Sequence, residues 1–335
     1  MEQPPLTGII LNDIDLSVAM PRETAGWILR RPGLAEVESF RDVITNFYGA
    51  QRFLGTHPIR PPHEATYVRE GDGILMEWNL PGDKWRYSIV EPTSAPELPR
   101  AALEQALRIS DADLWAPLWV ELGRPFYVRT PNSLGRVWSP VGNPNQAFQF
   151  FDSRHDDLSG PESLNLAEVA EVVELRAALD DAAYPAIAAA LQGFLVLDGL
   201  PERSTQKFLG YFGVLESLLS HKPEPSDPVD SITRQLIRGL LLLNNRLPDH
   251  RKLGLDSFGA TLPKKVIRQL YAYRSAAAHS GSTAKELNWF EGVLPKTWTG
   301  NISLELHLFV RRLTKRVLIA AMHEPQLVMD LACEG

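Results

Sequence analysis

The spacing of apolar positions changes character once along the chain. Before residue 160, short β-prone runs are separated by Pro and Gly, and six of the eight tryptophans (Trp27, Trp78, Trp85, Trp115, Trp119, Trp138) lie among them. Large aromatics in such runs pack inside more often than they form binding platforms, so these are expected in a core. Residues 73–80 and 85–90 read as strands joined through Pro81-Gly82-Asp83, residues 126–129 as another strand, and 37–53 and 100–109 as helices. From Leu166 to Leu331 the strand signal almost vanishes and apolar residues recur at helical spacing. Helices are predicted over 166–180, 185–197, 203–220, 228–246, 262–279 and 302–320, with a loose end after Pro325. Asp227 before Pro228 and Thr261 before Leu262-Pro263 have the residue types of helix starts, and Gly281 that of a helix stop.

The expected architecture is therefore an α+β domain over residues 1–160 and an all-α helical bundle over 161–335. Residues 140–161, with three Pro and three Asp, form the expected linker. A chain of 335 residues has room for two domains, and its composition, 44% hydrophobic and 22% charged, is that of a globular protein. No stretch reaches the length of apolar sequence that spans a bilayer, and the N-terminus lacks the basic-then-apolar order of a secretory signal. A single cysteine, Cys333, excludes an internal disulfide and a cysteine metal cluster, so a reducing cytoplasm is the expected location.

Charge is unevenly distributed. Residues 1–200 hold 16 basic and 28 acidic side chains, and residues 201–335 hold 18 and 13. A polyanion would meet the C-terminal part more readily, since Lys and Arg make phosphate contacts, although solvated basic helix faces give the same count. Signatures of phosphate loops, nucleophile elbows and zincin sites are absent, and the pairs Asp13/Asp15 and Asp111/Asp113 lack the further ligands a cation needs. His155-Asp156-Asp157 falls in the expected linker.

The informative segment is residues 270–281, LYAYRSAAAHSG, where Arg274 and His279 stand five positions apart near a helix end. Such a pair is weak by itself, because Arg52 and His57 share the spacing and Arg316 with His323 fits a looser one. Helical projection puts Arg274 on the otherwise core-directed stripe of Ile267, Leu270 and Tyr271. A guanidinium there requires an anion, either a substrate or a protein acid. Glu216, at the edge of the apolar stripe of the 203–220 helix, is the protein candidate; the alternative is a boundary residue facing water. His279 projects with Ala272, Ser275 and Ala276, a small-residue surface open to another helix, either of the same chain or of a second copy.

Residues 208–219 (FLGYFGVLESLL), 231–236 (SITRQL), 270–281 and 304–318 (LELHLFVRRLTKRVL) resemble, in order and spacing, the Apea-like branch of the HEPN superfamily of helical domains. The likeness covers roughly residues 165–335. It implies a bundle that forms a homodimer through the helix carrying Arg274 and His279 and acts as a metal-independent endoribonuclease without cofactors. Arg274 and His279 would be the catalytic pair, with Glu216 matching an acid on an earlier helix. Ser275 takes the place where many superfamily members carry Asn, Asp or His. Lys264, Lys265 and Arg268, at the start of the same helix, would follow RNA phosphates, or else form a solvated face.

RNA supplies its own nucleophile, the 2′-hydroxyl. An imidazole exchanges protons near neutrality, and a guanidinium holds the phosphate and the charge that develops on it, so cleavage would leave a 2′,3′-cyclic phosphate and a 5′-hydroxyl. The resemblance implies antiviral defence or a toxin system, with residues 1–160 as a sensor or targeting domain that meets a protein trigger. Two other readings compete: a non-catalytic RNA- or nucleotide-binding module whose bundle only dimerises, and a protein-interaction scaffold.

Overall fold

The computed structural model describes residues 7–10, 21–40, 65–70, 73–78, 88–110, 117–120, 165–198, 200, 204–222, 231–279, 282–294 and 301–333. Its first unit, Met1–Ala177, is built on an antiparallel sheet of β1 (Thr7–Ile10), β2 (Arg22–Thr24), β3 (Trp27–Arg30), β6 (Ser88–Pro92) and β7 (Leu118–Val120), in the order β2-β3-β6-β1-β7. Ile9, Ile10, Leu29, Ile89 and Val90 are buried in it. Trp27 and Trp119 are buried as well, with ring centroids 5.7 Å apart, as expected of core tryptophans. The Trp27 indole donates to the Leu98 carbonyl at 2.7 Å, which satisfies the one polar atom that its burial takes from water. Arg30 ties the helical residues 34–40 to the sheet by bonding Glu36 at 2.5 Å and Glu91 at 2.9 Å, and it holds the Glu36 carboxyl below the usual carboxylate range.

The β2–β3 hairpin, which the hydrophobic pattern did not reveal, pairs Thr24 with Trp27 and leaves a two-residue turn. Ala25 and Gly26 have φ of 46° and 78°, the left-handed pair that matches strand twist in a tight hairpin. A Cβ at Gly26 would stand 2.5 Å from Pro96 Cα and 2.7 Å from Glu97 N, both backbone atoms. Gly26→Ala is therefore expected to lower unfolding free energy by about 1–3 kcal/mol, read as a lower urea midpoint for the transition that exposes Trp27.

A second correction concerns strand pairing. β5 (Gly73–Trp78) pairs with the preceding β4 (Ala65–Glu70), not with the strand that follows it. The register Glu70↔Gly73 separates the paired strands by only two residues of sequence, a spacing that favours antiparallel pairing over the longer Pro81-Gly82-Asp83 segment. β6 instead pairs with β1 and β3. Helix α1 (Arg100–Ile109) forms where expected and buries Leu103, Leu107 and Ile109. The rest of the expected 37–53 helix, the 126–129 strand and the 140–161 linker lie outside the described residues, as do Asp13, Asp15, Asp111, Asp113 and His155 to Asp157.

Helix α2 (Leu166–Ala178) belongs almost wholly to the first unit. Thr24 Oγ1 donates to the Ala170 carbonyl at 3.4 Å, and the buried Arg176 donates from Nε to Gln105 of α1 at 2.8 Å. The compact units thus meet at Ala177/Ala178, beyond the change of sequence texture at residue 160.

The described residues of the second unit, Ala178–Gly335, contain helices and no strand, the α-helices being α3 (Pro185–Asp198), α4 (Thr205–Leu219), α5 (Ile232–Arg246), α6 (Pro263–His279), α7 (Ala284–Glu291), α8 (Ile302–His323) and α9 (Pro325–Cys333). An α+β part followed by a helical part is the observed order. α4 runs through the centre against α3, α5, α6, α8 and α9, and Phe208, Tyr211, Leu215, Leu218 and Leu219 are buried along it. Gly210 lets Leu197 of α3 lie against α4, since a Cβ would fall 2.1 Å from Leu197 Cδ2.

Three local readings change in this unit. α5 starts later than expected, after Ser231, whose side chain accepts from the Arg234 amide; the expected start at Asp227 lies outside the described residues. The segment after Pro325 is α9 and not a loose end. Proline at a first helical position lacks only an amide that has no partner there, and Val328 is buried. α7 escaped the periodicity because it has eight residues and a single buried one, Phe290. Among the described residues no helix is long and apolar enough to cross a membrane.

Candidate functional site

α4 and α6 present the residues singled out in the sequence. α6 opens at Pro263 and buries Val266, Ile267, Leu270 and Tyr273, a stripe at three- and four-residue spacing. Its rotation is fixed by an aromatic cluster. Phe208 of α4 stacks on His307 of α8 at 4.7 Å and meets the Tyr273 ring edge-on at 5.0 Å, while the Tyr273 hydroxyl pairs with Ser303 at 3.0 Å. With Tyr273 locked inward, the next residue, Arg274, falls on the flank that faces α4.

There it meets Glu216. Arg274 Nη2 lies 3.2 Å from Glu216 Oε1 and 3.3 Å from Oε2, with the two side chains 25% and 19% exposed. One nitrogen straddling two oxygens is a side-on contact, not the two-pronged fork that a guanidinium forms with a well-aligned carboxylate. Arg274 Nε is buried without a hydrogen bond, so the cation keeps donor capacity that Glu216 does not use. Tyr271 completes the cluster. Its ring centroid is 5.5 Å from the guanidinium carbon, and it meets Phe212 edge-on at 6.2 Å.

Electrostatics follow from this half-buried setting. Burial pushes the Glu216 carboxyl above its ordinary value, and the nearby Arg274 charge only partly opposes that. Burial, followed by repulsion from Glu216, also raises the Tyr271 phenol, so it stays protonated at neutral pH. A raised carboxyl binds its proton more tightly folded than unfolded. Its favourable contribution is therefore complete below the ordinary value of 4.5 and is lost as pH rises through the folded value. Glu216→Gln is expected to flatten this slope, so that wild type loses melting temperature relative to the variant as pH climbs from 4.5. Parallel curves for the two proteins would refute the burial of Glu216.

Comparison with protein-family models, curated proteins and solved structures gave no match. The site's interpretation accordingly rests on its own residues.

Of the alternatives the sequence leaves open, a protein acid meets Arg274, and Glu216 is half-buried in an ion pair with it instead of facing water. His279 is the last residue of α6 and is exposed. Five helical residues advance about 7.5 Å and turn about 140° beyond one full turn, so within one chain Arg274 and His279 leave α6 on different sides. Ser275 is half-buried, and Lys264, Lys265 and Arg268 are exposed. Of the competing pairs, Arg316 is engaged with the Lys252 carbonyl and so is committed to the bundle, and Arg52 and His57 lie outside the described residues.

Two residues that contact the candidates on α6 were not themselves among the sequence candidates. Tyr271 carries the signal that should have raised it, an aromatic one turn before the motif arginine. Trp289 of α7, with Lys265 Nζ 5.7 Å from its ring centroid, was hidden because α7 itself was not predicted.

Proposed function

We propose that the protein is a metal-independent endoribonuclease of HEPN-like type whose active site combines Arg274 and His279 from two copies of the chain. The single observation that carries this reading is the guanidinium of Arg274, one quarter exposed and held beside Glu216 through one nitrogen, on the helix that ends in an exposed His279. A scissile phosphate would accept from the part of the guanidinium that stays open to solvent.

In the proposed reaction, one His279 takes the proton from the ribose 2′-hydroxyl, and that oxygen attacks phosphorus. The bond to the 5′-oxygen breaks, and the departing oxygen takes a proton from the other subunit's His279 or from water. Arg274 stabilises the additional negative charge on the phosphorane. Glu216 acts as a positioning residue for Arg274. Two copies meeting at α6 would bring a His279 from one to the Arg274 of the other, which answers the angular separation of the two side chains in a single chain.

Purified protein incubated with single-stranded RNA in excess EDTA is expected to release 2′,3′-cyclic phosphate and 5′-hydroxyl ends. Loss of cleavage on chelation would overturn the metal-free chemistry, and full activity from a protein of monomeric mass would overturn the two-copy site. A retarded but intact RNA would favour a binding module without turnover.

A further inference from the structure

Lys265 at the start of α6 lies over the ring of Trp289 near the end of α7, which brings an exposed lysine and a part-exposed indole together. Lys264 and Arg268 are exposed beside Lys265, and Lys285, four residues before Trp289 on α7, is exposed as well. Residues four apart on a helix share a face, so Lys285 stands one turn from the indole on the same face of α7. Trp289 also meets Phe290 edge-on at 4.9 Å, and Phe290 is fully buried, which anchors the indole on a rigid base.

Cations over and beside a part-exposed aromatic are the elements of a single-strand track. The charges follow the phosphates, and the ring offers its face to a base whatever its identity. A lysine ammonium lying on that face is a mobile cover, tethered by a flexible stem, which an incoming base can displace while the charge turns to the neighbouring phosphate. From Lys265 to His279, α6 runs about 21 Å, a distance that several nucleotides would bridge.

We infer that Trp289, flanked by Lys265 and Lys285, is a base-stacking subsite that grips single-stranded RNA away from the point of cleavage. The inference deepens the ribonuclease reading by assigning its substrate class, single strands over duplex. Of the acids on α7, Glu291 lies about 200° round the helix from Trp289 and Glu286 about 60°. Glu286 is therefore the acid that opposes an approaching phosphate, and Glu286→Gln is expected to tighten binding.

The test is fluorescence anisotropy of a labelled oligouridylate with the full-length chain carrying His279→Ala, so that binding is read without turnover. Trp289→Ala should weaken binding about tenfold, and Trp289→Phe should keep most of it, which separates lost stacking from lost folding. Lys285→Ala, at an exposed position, should lower the salt slope of log affinity by about 0.7. Duplex RNA should bind less tightly and ignore Trp289→Ala. Wild-type affinity in both Trp289→Ala and Lys285→Ala, or equal loss on duplex and single strand, overturns the subsite. If the otherwise native chain fails to cleave RNA while Trp289-dependent binding persists, the ribonuclease reading falls and the subsite stands; if it cleaves normally with no Trp289 dependence, the reverse holds.

Discussion

His279→Ala is expected to slow RNA cleavage by about a hundredfold to ten-thousandfold, and Arg274→Ala by about a hundredfold to a thousandfold. The two losses have different origins, and they can be separated. In the proposed reaction the imidazole only moves a proton, so its removal should leave RNA affinity nearly unchanged. The guanidinium would bind the phosphate in both ground and transition states, so its removal should raise KM as well as lower kcat. Arg274→Lys should rescue little, because an ammonium is a point charge that cannot reproduce the guanidinium fork beside Glu216. Glu216→Gln should act in between, since it leaves the guanidinium present but less firmly placed. Activity that survives both alanine substitutions would dismiss the pair, and the exposure of His279 at a helix end makes a folding defect a poor explanation for its loss.

Phe208→Ala is expected to cost about 3–5 kcal/mol of stability, the largest effect of any single truncation proposed for the bundle. The ring is fully buried, stacks on His307, meets Tyr273 edge-on and lies 5.2 Å from Phe212. Its removal empties the point where α4, α6 and α8 converge. Because Tyr273 sets the rotation of α6, the same change should also misplace Arg274. Phe208→Leu restores most of the volume and should cost less than half as much. Chemical denaturation of the three proteins, followed by circular dichroism at the helix band, measures this directly. A loss under about 1 kcal/mol for the alanine variant would show that the cluster does not hold the bundle together.

Much of the helical unit was legible before any coordinates. Long amphipathic segments carry their signal in repeated apolar positions, and α3, α4, α6 and α8 begin within about two residues of their expected starts. Short elements did not announce themselves. β2 and β3 have three and four residues, and their turn is signalled only by Ala25-Gly26, where a left-handed alanine is not a residue one would choose. Net charge misled in a more instructive way. The excess of cations after residue 200 reads as a basic surface, yet Lys207, Arg251, Arg311 and Lys315 are all buried. Lys207 Nζ donates to the Leu200 carbonyl at 3.1 Å, so part of that charge is spent on internal architecture.

The sequence by itself determined on which side of its helix each candidate residue stands. The stripe of Ile267, Leu270 and Tyr271 marks Arg274 as a cation on a core-directed flank, and the same projection puts His279 with Ala272, Ser275 and Ala276, because both placements depend only on helical period. Tertiary structure alone decided which acid meets Arg274, how incompletely it does so, and that Trp289 stands beside Lys265. Those are contacts between residues 58 and 24 positions apart, made when separate helices pack. Local periodicity sets which way a side chain leaves its own helix, but the partner it finds there depends on the packing of the other helices.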